Sequence, residues 1–341
     1  MKLSRRSFIA STAVGTFASI GAGASRPRDG ETHPLKTGAL GKYVGELPTG
    51  RYDSHIHVHV GRPEPERFAR ELADAGLVGG CLFSQRPVRL FDTQPSPPEP
   101  EQAMDEVIAW CSGSPTLYPF YWIDPVRSDA CDLVDLAVEK GIYGFKVIRD
   151  AGKPCDGAAM RTYERIAKHG KPLTFHTGIL WDAKASSDNF RPANWEPLLE
   201  IPGLRFALAH ISWPWCDECI AVYGKFLNAI SKRGNRVPEM FIDTTPGTPK
   251  MFRRDALAKI HTVGYDVLDH VQFGTDCNTT EYKVGWCRDW MRTDDAIFAE
   301  LGLNGREVDS NYRGSLRRYL FGGDAGGRIV PVSDGAQKGK S

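Results

Sequence analysis

The chain has 341 residues, 43 Lys plus Arg against 42 Asp plus Glu, a formal charge of +1 and 41% hydrophobic residues. A charge this close to neutral, with no long basic run, argues against nucleic acid as the main partner. The length is ample for one large core, and nothing after the N-terminus reads as a transmembrane stretch.

Taken in chain order, the first feature is Ser4-Arg5-Arg6-Ser7-Phe8-Ile9, a twin-arginine pattern, with an uncharged run over 9–23 behind it and the small residues Ala22-Gly23-Ala24 at its end. Residues 1–24 are therefore expected to be a signal peptide read by the twin-arginine export machinery, with a mature chain that starts at Ser25 and is exported to the periplasm or the medium. The run is too short and too rich in Gly, Ala, Ser and Thr for a stable span, so no lasting membrane insertion is expected after processing. Removing 24 of 341 residues leaves 317, and the charge falls from +1 to −2 because Lys2, Arg5 and Arg6 go and no acid goes. Residues 25–49 are rich in Gly, Pro and charge and read as a linker or arm.

A rhythm then begins. Short apolar runs lie at 52–57, 77–83, 117–123, 142–148, 172–176, 204–210, 240–243 and 270–274. Segments with helical spacing separate them, at 66–75, 101–111, 129–140, 158–169, 195–199, 217–230 and 250–261. Strands alternating with helices predict a parallel sheet, because parallel neighbours need a crossover connection. Eight such units suit an α/β fold of the closed (β/α)8 TIM-barrel type, here over residues 50–322. An open doubly wound sheet would carry a glycine-rich phosphate loop after its first strand, whereas this first strand ends in histidines. Extra C-terminal helices at 284–303 and 311–321 are expected to pack outside the barrel and close the fold. The glycine-rich, polar residues 323–341 read as a flexible tail.

Potential metal ligands stand at the ends of these apolar runs: His55 and His57 in Asp53-Ser-His55-Ile-His57, then His176, His210, and Asp276 in Gly274-Thr-Asp276. Strand side chains alternate, so His55 and His57 project from the same side. In a barrel the reacting groups sit at the C-terminal ends of the strands, which brings these distant residues onto one face. Imidazole nitrogen and carboxylate oxygen are donors that a borderline divalent cation such as zinc accepts. His59 is a minor alternative ligand in a shifted register. His169, His261 and His270 read as ordinary hydrogen-bonded histidines. Cys81 reads as core, and Cys216 and Cys219 form a CxxC with no second pair to complete a zinc site.

These residues, with Leu208-Ala-His210-Ile-Ser-Trp-Pro-Trp-Cys-Asp-Glu218, Phe273-Gly-Thr-Asp276 and the closing segment Asn311-Tyr-Arg-Gly-Ser-Leu-Arg-Arg-Tyr-Leu-Phe321, resemble the amidohydrolase superfamily. The most similar branch is the amidohydrolase-related one, with its hydrolases, lactonases and aminocarboxymuconate-semialdehyde-type decarboxylases. The resemblance covers about residues 52–321. It implies one divalent metal, usually zinc, on His55, His57, His176 and Asp276, with His210 beside the reacting oxygen and Asp276 also moving the proton. Lys146, near the end of the fourth strand, stands where some amidohydrolases carry a carbamylated lysine bridging two metals; it is equally placed to bind a substrate carboxylate, or its stem to pack on the wall. Arg149 is a candidate fork for a substrate carboxylate. Trp213, with Trp181 and Trp215, is a candidate lining of the pocket mouth, and the loops 86–100 and 178–192 are candidate lids. Glu218 has a dipole-complementing reading at the start of its helix.

The leading expectation is a metal-dependent hydrolase using activated water on a small ester, lactone or amide. The alternative is a non-oxidative decarboxylase of an aromatic or unsaturated carboxylic acid on the same site, and a third is a binding protein that keeps the barrel without turnover. A small-molecule substrate is the expected partner; association with further copies of the chain is left open.

Overall fold

The computed structural model describes residues 46–89, 91, 94–234 and 237–322. The expected signal peptide, nearly all of the arm and the expected tail lie outside the described residues. Among the described residues no helix is long and apolar enough to cross a membrane.

Eight strand positions wind around a barrel. They are β1 (Arg51–His57), β2 (Leu77–Phe83), β3 (Leu117–Trp122), β4 (Gly144–Val147), β5 (Pro172–Phe175), β6 (Arg205–Leu208), β7 (Glu239–Asp243) and β8 (Val271–Gln272), with a short β9 (Cys277–Asn278) continuing the last. Neighbours run β8-β7-β6-β5-β4-β3-β2-β1-β9, and every pair is parallel. The eighth position is one bent segment that serves two partners. Its start pairs with β7, and its end, as β9, pairs with β1 at Ile56 and His57. Between them Ser54 N donates to Phe273 O at 2.9 Å, and Asp276 N to His55 O at 3.0 Å. The sheet thus closes as the (β/α)8 barrel that strand–helix alternation predicts.

The crossover helices are α1 (Pro65–Ala75), α2 (Pro100–Cys111), α3 (Ala130–Lys140), α4 (Gly157–Lys168), α5 (Cys216–Arg233), α6 (Lys250–Thr262) and α7 (Val284–Glu300). Local chemistry explains their ends. Pro occupies the first turn of α1 and α2, where a missing N–H costs nothing, and Asp156 caps α4 by accepting from the amides of Ala158 and Ala159. Gly76 and Gly141 end α1 and α3 at φ 88° and 93°, in the left-handed region. Between β5 and β6 no α-helix forms. A 3-10 segment, Pro192–Glu200, covers the sheet there, with Pro197 inside it. Proline lacks the amide a continuous α-helix would need, so the short helical pattern at 195–199 folds more tightly than expected.

Apolar side chains form two buried sets. The larger lies between sheet and helices; the smaller fills the barrel with Tyr52, Phe83, Phe120 and Phe241. The C-terminal helices correct one expectation. After α7 and α8 (Gly305–Asp309) a π turn leads into α9 (Ser315–Phe321). Helix α9 does not pack outside. Leu316, Tyr319 and Leu320 join the barrel's interior set, Tyr319 Oη meets Thr174 Oγ1 at 2.7 Å, and Arg205 at the start of β6 donates to Tyr319 O. The helix therefore plugs the end where the strands begin, because three apolar residues on one face find buried neighbours only there. Chemistry is left to the opposite end.

Candidate active site

The geometry of the site starts with an irregularity in β1. Asp53 pairs with Gly80 and Ile56 with Leu82, so β1 spends three steps where β2 spends two. Strict alternation would point Asp53 the same way as His55 and His57. The bulge turns it out of the barrel instead, while both histidines stay inside. There the buried Asp53 carboxylate accepts from His55 N, Thr275 N, Thr275 Oγ1 and Tyr282 Oη at 2.5–3.0 Å. It joins the first strand to the last. Gly274 permits that approach: a Cβ on it would lie 2.2 Å from Thr245 Oγ1 and 2.7 Å from His55 Cβ.

At the C-terminal ends of the strands, His55, His57 and Asp276 offer one ligand atom each within 4.8 Å of one another. His57 Nε2 lies 3.1 Å and His55 Nε2 3.6 Å from Asp276 Oδ1, and the two imidazole nitrogens are 3.2 Å apart. On its other side His55 Nδ1 meets Asp243 Oδ2 at 2.7 Å. That carboxylate, itself bound by the amide and hydroxyl of Thr245, places the ring proton on Nδ1 and turns the Nε2 lone pair into the cluster. Burial pushes the His55, His57, His176 and His210 imidazoles below the usual histidine range, and the Lys146 ammonium adds to the push on His55. Neutral rings are what ligation requires. Burial works upward on Asp276, but the hydrogen bond to His57 and the surrounding imidazoles hold it well below the ordinary carboxylate range.

His176 and His210 complete the ring of imidazoles. The His210 ring lies 5.3 Å from that of His55 and 4.9 Å from that of His176, centroid to centroid. His176 stands next to the three-residue group, outside its 4.8 Å radius. His176 Nε2 and His210 Nδ1 are buried with no hydrogen-bond partner. Unpaired buried ring nitrogens are costly, and a divalent cation is a partner that imidazole nitrogen accepts. The backbone is strained at the same places. His210, Ile211 and Ser212 have φ of 63°, 48° and 54°, and Asp276 has 61°, all in the left-handed region. For β-branched and bulky side chains this conformation is held only by surrounding structure, here including Thr177 Oγ1 bonding Ala209 O at 2.6 Å.

Lys146 belongs to the cluster itself. It is 1% exposed, its Nζ lies 3.3 Å from His55 Nε2, and the Phe83 ring supports it at 4.9 Å. Burial draws its pKa down to about 8, against the pull of Asp243 and Asp276. Arg149 is elsewhere engaged, its Nη2 donating to the helix-capping Asp156 at 3.1 Å. Trp213 is half-buried and stacks on Phe252, and Trp181 is 66% exposed. Glu218 does more than complement a helix dipole: it accepts from Arg191 and from Ala193 N, fastening the 3-10 segment to α5. His59 is exposed, His169 pairs with Asp135, and His270 bridges Leu268 O and Glu239. Sequence reading passed over Asp243, although an acid closing the apolar run Met240-Phe241-Ile242 carried the same signal as the histidines. It also passed over Arg86 and Trp122. The Trp122 ring packs 5.4 Å from that of His57, and the Arg86 guanidinium lies 5.6 Å from the Trp122 ring.

Among solved structures the barrel is similar to that of ATU3138 from Agrobacterium tumefaciens, at 12% identity over 80% of this chain and 94% of that one, with a TM-score of 0.50. It is also similar to a dihydroorotase from Campylobacter jejuni (11% identity, 78% and 81% of the two chains, TM-score 0.48) and to amidohydrolase 2 from Bifidobacterium longum subsp. infantis (14%, 79% and 98%, 0.47). At these identities the likeness concerns the fold alone. No family profile matches the chain, and no curated protein matches it.

Proposed function

We propose that this chain is a metal-dependent hydrolase of the amidohydrolase superfamily, acting on a small ester, lactone or amide. The observation that carries the reading is the convergence of His55, His57 and Asp276 within 4.8 Å at the open end of the barrel, beside the unpaired ring nitrogens of His176 and His210. Their donor set suits one zinc ion, held by His55, His57, His176 and Asp276. Such an ion lowers the pKa of a water from ~15.7 to about 7 and so supplies a nucleophile at neutral pH.

The chain's own residues supply the rest. Asp276, kept ionised by its imidazole neighbours, accepts the proton of the attacking water and passes it to the leaving atom. His210, fixed in its strained turn, polarises the oxygen on which negative charge develops. Asp243 keeps the His55 ring in the ligating tautomer. The proposal extends to export by the twin-arginine route, on the strength of Arg5-Arg6 and the uncharged run behind them.

The test is Asp276→Asn, assayed on a panel of esters, lactones and amides with metal content measured in parallel. Turnover is expected to fall by about 10²–10⁴-fold with the fold intact, the usual contribution of positioned proton transfer. Unchanged turnover would remove Asp276 from the mechanism.

A further inference from the structure

We propose that Arg86 is a binding residue for a carboxylate on the substrate, so that the hydrolase acts on esters, lactones or amides that also carry an acid group. This rests on the proposed hydrolase reading of the neighbouring cluster and assigns the class of molecule it takes.

The argument begins with what surrounds the guanidinium. Arg86 stands three residues beyond β2, on the end of the barrel where His55, His57 and Asp276 meet. Contacts connect it to them stepwise: Arg86 lies 5.6 Å from the Trp122 ring, that ring lies 5.4 Å from His57, and His57 Nε2 lies 3.1 Å from Asp276 Oδ1. An indole ring at that distance is a cation–π neighbour of the guanidinium and takes up none of its N–H donors. Of its five N–H donors, one reaches a partner among the described residues, Nη1 to Gln94 Oε1 at a long 3.3 Å. Among the described residues no carboxylate pairs with it. Asp276, the one acid among the described residues that acts on it, is held by the histidine cluster.

The other cations near the site are differently placed. Arg149 is neutralised by Asp156, and Lys146 lies among the ligand atoms, 3.3 Å from His55 Nε2. A half-buried arginine with no carboxylate partner among the described residues therefore stands on the end of the barrel that holds the reacting centre. Two parallel N–H donors match the two coplanar oxygens of a carboxylate. Because the anchor lies beyond Trp122 and not among the ligand atoms, the acid group it holds is a spectator in the bond that breaks.

The experiment compares benzoate with benzamide, equal in size and different in charge, by calorimetric titration of the full protein after incubation with zinc, wild type, Arg86→Gln and Arg86→Lys. Wild type is expected to bind benzoate about ten- to a hundredfold more tightly than benzamide, the range of a charge-assisted pair. Arg86→Gln should lose that preference while benzamide affinity moves less than twofold, and Arg86→Lys should restore part of it. Equal binding of the two probes by wild type, or a preference that survives in Arg86→Gln, overturns the proposal. Zinc uptake measured by equilibrium dialysis keeps the two readings apart. A protein that takes up zinc but does not discriminate refutes the role of Arg86 alone. A protein that discriminates through Arg86 but takes up no zinc supports the anion site and refutes the hydrolase.

Discussion

At the scale of single residues, the site depends on groups that never touch the reacting molecule. His55 has two nitrogens, and which one faces the cluster is decided on the far side of the ring, by Asp243 at 2.7 Å. Replacing that carboxylate by an amide keeps the shape but removes the charge that stabilises the proton on Nδ1. Asp243→Asn is therefore expected to weaken zinc affinity by about 10- to 100-fold, measured by competition with a chromophoric chelator, while the circular dichroism spectrum stays unchanged. Asp276 and His210 show the same dependence in their backbones, since φ near 60° persists at non-glycine residues only when neighbours impose it.

Among the elements, the decisive one is the last strand position. Its two short pieces, β8 and β9, divide their pairing between β7 and β1, and the bend between them carries Asp276 into the site. Two helices flank this position in the chain, α6 before it and α7 after it, and a buried ion pair ties them together. Arg253 of α6 donates to Asp294 of α7 at 2.8 and 2.6 Å and also to Thr244 O just beyond β7, with both side chains of the ion pair buried. Removing the cation leaves Asp294 charged and without water, so Arg253→Ala is expected to cost about 3–5 kcal/mol in urea unfolding. A loss under 1 kcal/mol would show that this junction is not what joins α6 to α7 and to the end of β7. Helix α9 acts at the other end, where its plug of Leu316, Tyr319 and Leu320 leaves only the C-terminal mouth open.

For the whole molecule, the barrel collects donors from β1, from the end of β5, from the turn after β6 and from the closing strand into one space. A ligand that binds only the folded arrangement stabilises it by mass action, about 4 kcal/mol at a thousandfold excess over Kd. Chelation is thus expected to abolish turnover and lower Tm without melting the barrel, whose core does not depend on the ion; an ester assay checks the first and calorimetry with and without added zinc the second. Much of this was legible in the chain. Eight apolar runs, the helical spacing between them and the histidines closing the first, fifth and sixth runs lay in plain order, because period and punctuation are local properties. Other features depended on contact. A proline inside a short helical pattern changed its class to 3-10, and the bulge in β1 turned Asp53 away from the two histidines it precedes. Apolar spacing in α9 showed a buried face but not which surface would bury it. The sequence by itself determined the element order, the barrel class and the kinds of donor available. Only the tertiary structure decided that Asp243 orients His55, that Lys146 sits among the ligands, that Arg149 is neutralised and that Arg86 has no carboxylate partner among the described residues. Those are statements about distance between residues far apart in the chain, and distance is set by how the strands close on one another.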